Sequence, residues 1–300
     1  MQQLNIGLIG TDSSHAVAFT RLLNNPTDAN HVSGGKVVAA FSGGSDDFPL
    51  SISRVDGFMN ILENEFGVRR VDSPGAVAAQ CDAVLLTSAD GRIHLEQFRD
   101  IASYGKPVFI DKPMALNTKD AQEIFEIARQ FQVPIMSCSA LRYAQQLTDD
   151  VRRYGLGTVK GAVARGPLAV EPTQSYYYWY GIHSVELLYA VMGIGCEAIH
   201  VETRQEEDIL SGRWKDGRIG TVQLSRLPDC PFSARIEREG QASHFEIQAN
   251  AKPFYASLLE QIMELFTRRQ SPLDAQETIE IIRFLEAAEE SKTTGNEVLL

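Results

Sequence analysis

Three stretches of the chain carry residue types and spacings that can do chemistry. The first is Gly10-Thr11-Asp12-Ser13-Ser14, a turn between an apolar run and a helical periodicity. Backbone N–H groups and a helix dipole converge on such a turn, so it can hold a pyrophosphate. A dinucleotide fingerprint G-x-G-x-x-G would start at Gly10, but its second and third glycines fall on Asp12 and His15. Asp12 is expected to cap the helix with its own carboxylate, taking N–H donors a phosphate needs and setting a like charge beside it. Replacing Asp12 by Gly would then tighten dinucleotide binding. The Ser13 and Ser14 hydroxyls can offset the loss, and a capped helix that holds no phosphate is the alternative reading. The second stretch is Asp111-Lys112-Pro113, which sets a cation where an apolar run ends, and the third surrounds His183. Histidine titrates near neutrality and lysine can be tuned toward it by burial, so Lys112 and His183 can polarise an oxygen and exchange a proton. Just before His183 stands the aromatic run Tyr176, Tyr177, Tyr178, Trp179 and Tyr180. Aromatic faces with hydroxyl tips suit a sugar or cyclitol ring, and equally a subunit contact.

The elements that must position these residues follow from periodicity. Residues 4–9, 37–41, 83–86, 108–110 and 134–138 are short apolar runs separated by helical patterns, which is how strands feed crossover helices in a parallel sheet. Ser73-Pro74 opens one helix, and Gly67 closes another with a left-handed cap. Asp111-Lys112-Pro113 then falls at the carboxyl end of a parallel strand, where ligand crevices open. Beyond Tyr143 the pattern changes. Residues 159–164, 198–203, 209–214, 218–224, 233–238 and 242–248 read as consecutive strands, with Asp216-Gly217 and Glu239-Gly240 as hairpin turns. A meander in an antiparallel sheet is expected, flanked by helices over residues 181–192, 254–267 and, after the capping box Asp274 to Glu277, a long one to about Ser291. The fold class is α/β: a Rossmann-type doubly wound parallel sheet over residues 1–142, then an α+β domain with a largely antiparallel sheet over residues 143–300.

Composition narrows the function. Among 300 residues, 44% are hydrophobic, and 28 Lys and Arg stand against 39 Asp and Glu, a net charge of −11. That charge repels nucleic-acid phosphate and anionic lipid, so neither is expected as a partner. No basic leader precedes the first apolar run and no stretch nears the ~18 apolar residues of a membrane span, so a cytoplasmic protein is expected. Cys81, Cys138, Cys196 and Cys230 lie far apart without metal spacing and read as reduced thiols, with no metal site. His15, His31, His200 and His244 have no constellation around them and are assigned no role.

Residues 105–117, Gly-Lys-Pro-Val followed by acid-Lys-Pro ahead of a long amphipathic helix, resemble the signature of the glucose-fructose oxidoreductase, inositol dehydrogenase and MocA-type family of NAD(P)-dependent dehydrogenases. The similarity runs through Gly7, Gly10, residues 90–94, Arg142-Tyr143, residues 155–159, Ser291, Gly295 and Val298. It implies NAD or NADP as cofactor, hydride transfer to or from a sugar, sugar acid or cyclitol, and a homo-oligomer built on an open sheet face. It places Lys112 beside the nicotinamide and the reacting carbon and turns His183 toward the cofactor. Cofactor contacts are carried onto Ser88, His94 and Asp111, and a substrate contact onto Arg142, while Tyr178, Trp179 and Tyr180 are assigned to substrate from the chemistry of the aromatic run itself. Ser42 stands at the end of the second strand, where an NAD enzyme usually offers an acid to the ribose, and no Lys or Arg is near it, so the choice between NAD and NADP stays open. Many members carry an aspartate four residues before the histidine. Here the position is Trp179, which removes the group that would orient or charge-balance His183. A non-catalytic nucleotide- or sugar-binding sensor, or an NAD-assisted elimination or hydrolysis enzyme, are the alternatives.

Overall fold

The computed structural model describes residues 3–227, 229–248 and 252–300. The chain forms two units, one of residues up to 115 with 119–138 and 255–274, the other of residues 116–118, 139–254 and 275–300. A single cut after residue 142 does not anticipate the return of segment 255–274 to the first unit.

In the first unit the strands are β1 (Leu4–Ile9), β2 (Gly35–Phe41), β3 (Arg69–Val71), β4 (Ala83–Leu86), β5 (Val108–Ile110) and β6 (Ile135–Met136). They form one sheet in the order β3-β2-β1-β4-β5-β6, every pair parallel. The crossovers are helices α1 (Ser14–Asn24), α2 (Pro49–Ile52), α3 (Val55–Phe66), α4 (Pro74–Gln80), α5 (His94–Ala102) and α6 (Thr118–Gln130). A parallel sheet is covered on both faces, so β4 is apolar at every position, and Ala83, Val84, Leu85 and Leu86 are all fully buried. The expected caps are present: Ser73 Oγ accepts from the Ala76 N–H at 3.1 Å, and Gly67 takes a left-handed φ of 66°. Strand order reverses between β1 and β4, and that switch point opens a crevice at the carboxyl ends of the strands.

The second unit holds α7 (Gln145–Tyr154), β7 (Val159–Pro167), α8 (Gly181–Met192), β8 (Cys196–Thr203), β9 (Glu207–Trp214), β10 (Ile219–Ser225), β11 (Ser233–Arg238) and β12 (Gln241–Glu246). After α9 (Phe254–Arg268), whose residues from Tyr255 on belong to the first unit, the chain ends with α10 (Ala275–Thr294) and β13 (Val298–Leu299). The sheet order is β12-β11-β7-β10-β9-β8-β13. It is not the continuous meander expected, because β7 lies between β10 and β11 and runs parallel to β10. The two Gly turns fix only their own hairpins, β9–β10 and β11–β12; nothing local ties β10 to β11, and the open edge of β10 is taken by an earlier strand. Helices α8 and α10 cover one face. A side chain at Gly220 would strike Trp214 and Leu188, and one at Gly212 would strike Trp214 and Phe284, so these glycines let the helices close on the sheet. The opposite face shows Val163, Arg165, Thr221, Gln223 and Arg235, which are exposed or half-buried.

Among the described residues no helix is long and apolar enough to cross a membrane. All four cysteines are free, and only Cys230 is not buried. Burial pushes the Cys81 thiol up to about 11 and the Cys196 thiol up to about 12. Since the thiolate is the reactive form, a disulfide reagent at neutral pH is expected to titrate one thiol rapidly in the native protein and four after denaturation, with the fast label mapping to Cys230.

Candidate active site

Four strand ends supply the polar residues of the first unit's crevice. After β1, Gly10 takes a φ of +88°, and a Cβ there would lie 2.4 Å from the backbone of Ser88, the second residue after β4. Glycine is required by this close approach of two loops. The Gly10 N–H donates to Phe41 O and the Thr11 N–H to Ser42 O, tying the turn to the end of β2. Ser13, not Asp12, is the helix cap: its Oγ accepts from the His15 N–H at 3.2 Å. The Asp12 carboxyl points away from α1 and is buried, accepting from Ser51 Oγ at 2.5 Å and from the Ala89 N–H at 3.0 Å. The expectation that Asp12 caps the helix and competes with phosphate is therefore corrected. An Asp side chain one residue before a serine cap has other donors within reach, and here a distant loop supplies them.

Ser88 Oγ donates to Gln97, and Asp90 is buried against Ser45 and Arg92, with Arg92 reaching on to Asp47. His94 does not reach toward a ribose. It is fully buried, with Nδ1 on the carbonyl oxygens of Pro113 and Met114 and Nε2 on that of Ser88. Both ring nitrogens thus strut the loops after β4 and β5, leaving none to a ligand. Lys112 follows β5 and is partly buried; burial lowers its ammonium below the usual lysine range, against the pull of Asp111. Asp111 itself is buried. Burial raises its carboxyl, but His15 and Lys112 outweigh this and hold it below the usual carboxylate range. His15 Nδ1 lies 2.5 Å from Asp111 Oδ2, and His15 Nε2 lies 2.9 Å from the Tyr255 hydroxyl. Neither partner of His15 is near it in sequence, which is why its isolation there concealed this cluster.

In the second unit His183 sits in the first turn of α8 with Nδ1 2.7 Å from Ser139 Oγ. Tyr180 and Phe232 stand edge-on to its ring, at centroid distances of 5.2 Å and 5.8 Å. The orienting partner that the sequence lacked at Trp179 is thus a hydroxyl from the loop after β6. Arg142, assigned to substrate, is instead buried, its guanidinium held by Glu186 at 2.9 Å and by Glu277. The aromatic run divides. Tyr178 is buried with its hydroxyl on Ile282 O and Tyr177 is buried with its hydroxyl on Asp208, so Tyr178 cannot face a substrate. Trp179 and Tyr180 remain half-buried.

Residues 4–138 match the family model described as "Oxidoreductase family, NAD-binding Rossmann fold", GFO_IDH_MocA. The match covers the strands and crossovers of the parallel sheet and stops short of segment 139–254 of the second unit. No curated protein matches the chain. Solved structures match its fold over nearly all its length. A probable dehydrogenase from Thermotoga maritima is 17% identical, with TM-score 0.78 and coverage of 99% of this chain and 98% of that one. GenD2 from gentamicin A biosynthesis, in complex with NAD, is 16% identical, with TM-score 0.78 and coverage of 100% and 97%. The myo-inositol dehydrogenase from Lactobacillus casei, in complex with NAD(H) and myo-inositol, is 14% identical, with TM-score 0.75 and coverage of 100% and 97%.

The NAD-binding Rossmann family makes NAD the cofactor to test against these residues, and they fit it. The first turn of α1 carries no carboxylate cap, Gly10 adds no side chain to the turn, and the buried Ser42 hydroxyl has no hydrogen-bond partner among the described residues. With the Gly10 and Thr11 N–H groups committed to the end of β2, Ser13 and Ser14 at the start of α1 would hold the pyrophosphate, and Ser42 would face the ribose. Asp12 is then a structural residue. Burial raises its carboxyl above 3.8, outweighing Ser51 and Ala89, so the native state binds the proton more tightly than the unfolded chain. Its contribution to stability falls as pH rises through the folded pKa. Asp12→Asn, which cannot ionise, is expected to gain on the wild type as pH rises above 3.8, read from urea midpoints. Asp12→Gly, which strands Ser51 and the Ala89 N–H, is expected to lose ~1–3 kcal/mol without tightening NADH binding by calorimetry.

Proposed function

We propose that the protein moves hydride between NAD or NADP and a secondary alcohol, or its ketone, on a polyhydroxylated small molecule: a sugar, sugar acid or cyclitol. The observation that carries this reading is the placement of Lys112. It follows β5 at the carboxyl edge of a family Rossmann sheet, and its neighbour Asp111 is bonded to the helix that opens the dinucleotide turn. The myo-inositol bound to a structural relative supports the substrate class.

The dinucleotide, when bound, supplies the hydride acceptor or donor. Lys112 polarises the reacting oxygen, and its depressed pKa, caused by burial, brings its proton exchange closer to neutrality. His183, held at Nδ1 by Ser139, takes or returns the hydroxyl proton. Trp179 and Tyr180 pack on the apolar C–H faces of the substrate ring. The open face of the second sheet, carrying Val163, Arg165 and Gln223, is the surface on which copies of the chain associate.

Denaturing the purified protein should release NAD(H) or NADP(H), or titration should show one of them binding. With a substrate found by nicotinamide absorbance across sugars and cyclitols, Lys112→Ala is expected to cut turnover ~100-fold or more with cofactor affinity within a few-fold, since its contribution belongs to the transition state. Near-native turnover in both Lys112→Ala and His183→Ala would reject the assignment; stoichiometric cofactor without any substrate would favour the sensor. Light scattering is expected to give a dimer or larger species, and a monomer at all concentrations would remove the sheet-face proposal.

A further inference from the structure

The third glycine of a dinucleotide fingerprint ordinarily lets the first helix pack closely on the sheet. Here that position is His15, and its ring has a built environment. It lies 5.6 Å from the Phe19 ring and 4.9 Å, edge-on, from Tyr255, while Phe19 packs edge-on against Phe109 of β5. Both ring nitrogens are engaged, Nδ1 by Asp111 at 2.5 Å and Nε2 by the Tyr255 hydroxyl at 2.9 Å. The other carboxylate oxygen of Asp111 accepts from the Lys112 N–H at 2.9 Å. One chain of contacts therefore runs from Tyr255, in the segment that returns to the first unit, through His15 and Asp111 to the backbone of Lys112.

We propose that His15 is a positioning residue for Lys112: with its proton on Nδ1, and with Nε2 anchored by Tyr255, it clamps the Asp111 carboxylate so that its second oxygen fixes the Lys112 backbone. His15 does not touch the reacting atoms in this scheme. A carboxylate with only acceptor oxygens requires a donor at Nδ1, and the Tyr255 hydroxyl, which can donate or accept, anchors Nε2. Position 15 has exchanged the glycine's close packing for a link between the first helix and the loop after β5. Tyr255, Asp111 and Lys112 are titratable groups along this chain of contacts, and the Phe19 ring lies tilted 5.6 Å from the His15 ring. The catalytic meaning of the clamp rests on the role proposed above for Lys112, whereas its geometry can be tested without dinucleotide or substrate.

His15→Gly restores the fingerprint glycine and is the decisive variant. If His15 were only a damaged glycine, the variant would leave the loop after β5 unchanged. The clamp instead predicts that amide hydrogen exchange in the peptide spanning Lys112 rises about tenfold, while β1 and β4 keep their protection. Millimolar imidazole, filling the vacated space between Asp111 and Tyr255, should restore protection, and Tyr255→Phe should give a smaller rise. Unchanged exchange at Lys112, or a rise spread evenly over the first unit that imidazole does not reverse, overturns the proposal. Should His15→Gly not fold, 15N NMR of the histidines in the wild-type protein decides. A proton on His15 Nδ1 supports the clamp, and a bare Nδ1 refutes it. Because neither readout uses NAD(H), a protein that binds no dinucleotide counts against the proposed function and not against the clamp.

Discussion

A carboxylate taken out of water must be paired, hydrogen-bonded or protonated, because the unpaired charge costs several kcal/mol. Asp111 is buried where β5 leaves the sheet, and the carboxyl edge of the first unit is arranged around satisfying it. One oxygen takes the His15 ring and the other the Lys112 N–H. Meeting those demands brings the first turn of α1 beside the loop after β5, and His15 in turn needs Tyr255, which draws in a segment far along the chain. Lys112 is held by the same arrangement. Burial lowers the pKa of its ammonium, and the charge of Asp111 pulls the other way.

The second unit applies the same rule with a different set of groups. Ser139 and Arg142, three residues apart in the loop after β6, meet His183 and Glu186, three residues apart on α8. Residues at that spacing share a helix face, so two contacts fix both the position and the rotation of α8. Burial pushes the Glu186 carboxyl up while Arg142 pulls it down, and Glu277 from α10 brings a second carboxylate to the guanidinium. A neutral hydroxyl on His183, in place of a carboxylate, fixes the ring without adding charge beside it.

The departures from the family pattern take on a different meaning in this setting. Asp12 is not a rival to phosphate, since its oxygens are turned to Ser51 and the Ala89 N–H. His15 is not a lost glycine but the partner of a buried acid. His94 and Arg142, two residues that sequence similarity carries toward ligands, are buried and committed to backbone carbonyls and to carboxylates respectively.

Much of the architecture was legible in the residues alone, because it is local. Apolar runs at β1, β4 and β5, the caps at Ser73 and Gly67 and the two Gly hairpins act within a few residues, so periodicity and turn chemistry determined them. The acid-Lys-Pro block is likewise a contiguous signal, and its place at a strand end follows from counting elements. The insertion of β7 between β10 and β11, the joining of β13 to β8, and the partners of His15, Asp12, His183 and Arg142 were decided by tertiary structure. These contacts link residues 39 to 240 positions apart. A hydrogen bond across such a separation leaves no periodic trace in the sequence, since it forms only once the sheet has brought its two ends together.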